Sequence, residues 1–134
     1  MTFLETFVRY VNEKYSDRIV AYIPCCGATD EWYDYSNGTE DSARRAAWRA
    51  YRKERGREDP VDIPPESVRD HMSHDGFLRS PKEDMLAIQS WQFVNESVAD
   101  MIIRCAGIIR EIVGPRAQIG CFYGYILEKR TGRS

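Results

Sequence analysis

Glu31, Trp32 and Tyr33 are consecutive, and Asp30, Asp34 and Tyr35 flank them directly. Two further phenols, Tyr123 and Tyr125, stand near the other end of the chain in CFYGY. A positioned carboxyl group can give or take a proton in a reaction. Aromatic side chains offer flat apolar faces, and those of Tyr and Trp carry a polar handle as well. A carboxylate beside such faces suits a ligand that is polar at its edges and flat on one side, and a sugar fits that description. Glu31 is therefore a candidate pocket residue, with Trp32, Tyr33, Tyr123 and Tyr125 as candidate ligand contacts. A plainer reading stands beside it, in which Glu31 pairs with an arginine and the rings pack a loop. Asp30 and Asp34 read as turn or cap residues.

The elements that would position these groups are legible around them. The run IVAYI (Ile19–Ile23) is apolar along its length and ends at Pro24. A buried parallel strand has this pattern, so a strand is predicted over Arg18–Pro24 with Ile19 to Ile23 as its buried run. A second strand is predicted over Ala117–Tyr123, AQIGCFY. Helices lie between them in sequence, and a strand, a crossover and a second strand in one sheet make a parallel unit almost by rule. Both strands then end on the same side, about 5 Å apart. Ligands of α/β folds bind outside the carboxyl ends of strands, which places Glu31 and Trp32 beside Tyr123 and Tyr125. Two parallel strands alone leave an exposed edge on each side, so the residues read as part of a larger α/β body.

Around this unit the pattern is mainly helical. Thr2–Lys14 repeats Phe3, Leu4, Phe7, Val8 and Val11 at helical spacing. Gly27–Glu40 is a long loop with a turn signal at Asn37-Gly38. Asp41 or Ser42 can cap a helix that places Ala43, Ala47, Trp48 and Tyr51 on one side and ends at Gly56. The basic run Arg44–Arg57, interrupted by Glu54, reads as a solvated helix face, with an anion site as the alternative. Residues 57–79 are an irregular excursion punctuated by Asp59-Pro60 and Pro64-Pro65, with one helical turn near Glu66–His71. Such a segment is ordered only if it packs against something larger. Ser80-Pro81-Lys82-Glu83 has the form of a capping box with Pro at the first helical position. The helix it opens carries Met85, Ile88, Trp91, Val94, Val98, Met101, Ile102, Cys105, Ile108, Ile109 and Ile112 on one stripe, and Gly114-Pro115 stops it.

The totals bound the function. A chain of 134 residues can form one domain with a real core, here taken as residues 1–134. A net charge of -2 gives no reason to expect nucleic acid or a membrane surface as partner. No apolar run approaches the roughly 20 residues of a membrane span. No signal peptide is recognisable, and the chain reads as cytoplasmic. The 4 cysteines form no C-x-x-C pair, so they read as buried free thiols in a reducing compartment. His71 and His74 have helical spacing but no evident third ligand, so no metal or other cofactor is expected.

The order of GATDEWYDYS, DSARRAAWRAYRKERG, IPPESVRDHMSHDGFLRSPKED, WQFVNESVADMIIRCAGIIREIVG and IGCFYGYILE resembles the middle of the β-galactosidase-like (β/α)8-barrel glycoside hydrolases of the family 42 type. The resemblance covers roughly Val8 to Glu128, and its most specific pieces are Gly-Ala-Thr-x-Glu-Trp and Phe-Tyr-Gly-Tyr. It implies a partial TIM-barrel slice running from the third helix to the fifth strand, with two parallel strands, about three helices and the excursion. It also implies a retaining glycosidase whose acid/base carboxylate maps onto Glu31. The family usually has Asn before that residue, where this chain has Asp30. Retaining hydrolysis needs a second carboxyl group about 5–5.5 Å away, which in the family leaves a later strand. The expected partners are a carbohydrate substrate and either the remainder of the barrel or a second copy of the chain. One carboxylate alone would leave the isolated chain inactive, or make it a carbohydrate-binding or interaction module.

Overall fold

The computed structural model describes residues 2–25, 41–73 and 78–121. Its elements are helix α1 (Phe3–Tyr15), strand β1 (Ala21–Tyr22), helix α2 (Ser42–Glu54), the single turn α3 (Glu66–Arg69), helix α4 (Met85–Val113), a 3-10 turn over Gly114–Arg116 and strand β2 (Gln118–Ile119). The fold is mostly helical with a two-stranded parallel sheet. The chain divides into two compact units, one of Met1–Tyr33 with Val98–Ser134 and the other of Asp34–Ser97.

In the first unit α1 is opened by a capping box. The Thr2 hydroxyl accepts the Glu5 N–H at 3.3 Å, and the Glu5 carboxylate accepts the Thr2 N–H. Receiving that N–H holds the Glu5 carboxyl below its usual value. Leu4, Val8 and Val11 then pack with Ile19, Tyr22, Ile109, Ile112, Val113, Ala117 and Ile119 into one core. Phe3 and Phe7, expected in the same stripe, are exposed and stack on each other with ring centroids 6.0 Å apart. They sit on the flank of the stripe, outside the arc that Val8 centres.

The two strands pair in parallel, with Ala21 opposite Gln118 and Tyr22 opposite Ile119. The Gln118 N–H donates to the Val20 carbonyl at 2.9 Å, and the Gly120 N–H to the Tyr22 carbonyl at 3.1 Å. The expected direction is therefore present, but both strands are shorter than predicted. The buried run is shorter too. Tyr22 is in the core, whereas Val20 is 82% exposed and Ile23 51% exposed. Each strand is paired on one edge only among the described residues. Beyond α4, Gly114 has φ 61 and breaks the helix. The Arg110 guanidinium donates to the Gly114 and Ala117 carbonyls, and Arg116 donates to the Ser16 carbonyl and the Asn12 side chain. These contacts tie the start of β2 to the end of α1.

In the second unit the Asp41 carboxylate caps α2 by accepting the Arg44 N–H at 2.7 Å. The helix ends in a Schellman motif: the Arg57 N–H reaches the Arg52 carbonyl, the Gly56 N–H reaches the Lys53 carbonyl, and Gly56 has φ 70. Trp48, Tyr51, Ile63, Phe93 and Val94 form the core of this unit, with Leu86 against it. Ala43 and Ala47, expected on the same side as Trp48, are exposed, and Arg52 takes their place in the buried face.

The excursion is ordered within this unit. Ile63 and Pro64 are buried, and the Trp48 indole N–H donates to the Val61 carbonyl at 2.9 Å. The Trp91 indole N–H reaches the Arg69 carbonyl at 3.1 Å, and Arg79 spans the Arg69 and His71 carbonyls. Helix α4 starts at Met85 rather than at Pro81. Its buried residues here are Ala87, Ser90, Phe93 and Val94, while Met85 and Trp91 are exposed. The buried face is thus rotated from the predicted stripe and includes the small residues Ala87 and Ser90. Met101, another member of that stripe, is exposed as well.

Candidate functional site

The groups proposed from the sequence all belong, by number, to the first unit. Glu31, Trp32, Tyr33, Tyr123 and Tyr125 lie outside the described residues, as does the Asn37-Gly38 turn. The structure describes the scaffold that leads to them. After Tyr22 the chain leaves β1 through exposed Ile23, then Pro24 and exposed Cys25. After Ile119 it leaves β2 through exposed Gly120 and Cys121. Because the strands are parallel and in register, both segments depart from the same end of the sheet. Cys25 and Cys121 are free thiols but exposed, not buried as expected, because both lie just past the ends of the short strands.

No cluster of three or more His, Cys, Asp or Glu side chains able to hold a metal occurs among the described residues. His74 is outside them, so the His71/His74 pair is not described. No helix among the described residues is long and apolar enough to cross a membrane.

The second unit holds two polar constellations. One is centred on Asp84, a buried carboxylate just before α4. It accepts the Ser73 N–H at 3.1 Å, the Ser73 hydroxyl at 3.0 Å and the Ser80 N–H at 2.8 Å. The expected Ser80–Glu83 capping box is replaced by this arrangement: Asp84 takes the Ser80 N–H, and the Glu83 N–H goes to the Ser80 backbone carbonyl. Burial pushes the Asp84 carboxyl up. The hydrogen bonds from Ser80 and Ser73, with Arg79 nearby, together outweigh it and hold the group below its usual value.

That depression makes the Asp84 node pH-sensitive. Its stabilisation is complete above the ordinary Asp value of about 4 and is lost as pH falls through the lower folded value. The stability gap between the wild type and Asp84→Asn should be constant above about pH 5 and narrow as acid is added. Urea denaturation of both proteins across that range measures it, and parallel acid limbs would contradict the assignment.

No protein family, curated protein or solved structure matches the chain.

The other constellation is the basic run of α2, which is only partly a solvated face. Arg45 pairs with Asp62 and Arg55 with Glu96, while the Arg55 guanidinium lies 3.7 Å from the Tyr51 ring centroid. Arg52 is buried, and one of its terminal nitrogens donates to both Asp59 oxygens at 2.9 Å. Its guanidinium also lies 5.5 Å from the Trp48 ring centroid. A cation at that distance is attracted by the ring face. Neither of these roles was visible in the sequence, because a buried Arg needs both an aromatic face and a carboxylate from elsewhere. A lone arginine in a basic run carries no mark of either.

Proposed function

We propose that this chain is part of a glycoside hydrolase acting on β-linked sugars, a partial TIM-barrel slice that supplies the acid/base side of the site. The single observation that supports the reading is the parallel, in-register pairing of β1 with β2. It turns the chain out of the same end of one sheet after Tyr22 and after Ile119, and in sequence these exits lead on to Glu31, Trp32 and Tyr33 and to Tyr123 and Tyr125. That end is where α/β folds collect their ligands. Exposed Val20 and Ile23, which flank β1, agree with further elements packing over the sheet in a larger body.

In this reading Glu31 protonates the leaving oxygen and later activates water, and the rings stack on the sugar. The nucleophile comes from a strand outside these residues, about 5–5.5 Å from Glu31 in the assembled site. A second reading, a non-catalytic carbohydrate-binding or interaction module, keeps the same rim and drops the reaction.

Hydrolysis of a chromogenic β-galactoside separates the two. The glycosidase reading expects turnover from this chain to be very low, and any turnover to fall by about 10²–10⁴-fold in Glu31→Gln, the range for loss of a general acid. Saturable binding of the sugar with no turnover under any complementation favours the module. Turnover unchanged in Glu31→Gln overturns the assignment of the acid.

A further inference from the structure

We propose that the second unit carries a binding site for a small phosphate-bearing molecule at the carboxyl end of α2. A cavity of about 400 Å³ opens there, within the size range of small-ligand pockets. Four cations line it: Arg49, Arg52, Lys53 and Arg57, against the two carboxylates Glu58 and Asp59. Among the described residues Arg49, Lys53 and Arg57 make no ion pair, whereas Arg45, Arg52 and Arg55 of the same run each have an acidic partner. The basic run is thus sorted into paired cations that hold the unit together and unpaired ones that face this cavity.

Arg52 is the second, independent sign. It is only 6% exposed, and its Nε and Nη1 atoms are buried without a hydrogen-bond partner. Buried guanidinium nitrogens normally have partners, and those that do not call for an explanation. Asp59 engages only Nη2. A small rotation of the guanidinium would let an oxyanion share it with Asp59. Arginine forks match phosphate oxygens two at a time, and the surrounding Arg and Lys side chains add charge-assisted bonds. Pro60 and Val61 supply an apolar wall, so a phosphomonoester with an organic group fits better than the bare ion.

The helix end works against an anion, because its carbonyls carry partial negative charge. Here the Arg52 and Lys53 carbonyls are already occupied by the Schellman bonds, and the four cations outnumber the two acids. The balance at the cavity is positive.

Isothermal titration of the full chain with phenyl phosphate, inorganic phosphate and benzoate tests this. Phenyl phosphate should bind saturably with a dissociation constant on the order of 1 mM or better. The double variant Arg49→Gln/Arg57→Gln alters two exposed side chains outside the core, so it should fold normally. It should bind phenyl phosphate about tenfold more weakly, consistent with loss of charge-assisted bonds. Tighter binding of phenyl phosphate than of inorganic phosphate identifies a phosphomonoester, and equal binding identifies the free ion. Failure of phenyl phosphate to saturate, affinity unchanged in the double variant, or benzoate binding as tightly as phenyl phosphate would each overturn the proposal.

Discussion

Replacing Trp48 by alanine should lower the unfolding free energy by about 3–5 kcal/mol, the cost of removing a fully buried large aromatic. Trp48 is 0% exposed and central to its unit. Its ring stacks on Tyr51 at 5.8 Å and meets the edge of Phe93 at 5.4 Å. Removing it opens a cavity that these rings can fill only in part. It also takes away the indole N–H that satisfies the Val61 carbonyl, and the face that Arg52 rests on. Both polar groups would then need water in a place built without it. Set against a typical stability of about 5–15 kcal/mol, the loss brings this unit close to unfolding. Trp48→Phe keeps most of the ring area and should cost less. Urea denaturation followed by near-ultraviolet circular dichroism measures both variants. A loss below about 1 kcal/mol for the alanine variant would contradict the packing described.

Ile109→Ala should cost about 2–5 kcal/mol in the first unit. Ile109 is 1% exposed and packs with Val8, Tyr22, Val113 and Ala117, the residues that hold the two strands against α1 and α4. The effect should reach the sheet. The amides of Gln118 and Gly120, which donate to Val20 and Tyr22, should exchange with solvent faster in the variant. Ile103→Ala is the control on the same helix. Ile103 is 69% exposed, and its replacement should change stability by no more than about 0.5 kcal/mol. Equal losses for the two variants would mean that the buried face of α4 has been misplaced.

The contrast between these isoleucines marks where sequence reasoning reached and where it stopped. Both are apolar residues in one long helical pattern, and periodicity alone ranks them by neighbours in sequence. Ile109 was placed on the stripe correctly. The phase of the first half of α4 was not, because Ala87 and Ser90 score as weakly apolar although they are buried. Burial of a small residue is decided by packing against residues distant in the chain, which periodicity does not carry. The same limit explains the cap before α4. Ser80–Glu83 fits a local pattern, but the carboxylate of Asp84 reaches Ser73, eleven positions back, and captures the Ser80 N–H as well.

Local signals with one solution did better. Asp41 caps α2, Gly56 closes it, and the one turn of helix in the excursion falls at Glu66–Arg69. The T-x-x-E pattern at Thr2–Glu5 is equally local and marks the capping box of α1. The parallel direction of β1 and β2 followed from handedness and connection length, not from any residue. Their extent did not: Val20 and Ile23 continue the apolar run but are exposed. The groups proposed for the chemistry lie beyond the described ends of both strands, so their role rests on where those strands point.

Amide chemical-shift mapping of the labelled chain with a β-galactoside tests that role most directly. The account predicts saturable shifts confined to residues 30–35 and 121–126, weakened at least several-fold in Trp32→Ala. Shifts that spare these two segments, or that stay linear up to sugar concentrations on the order of 100 mM, would contradict a sugar site at this rim.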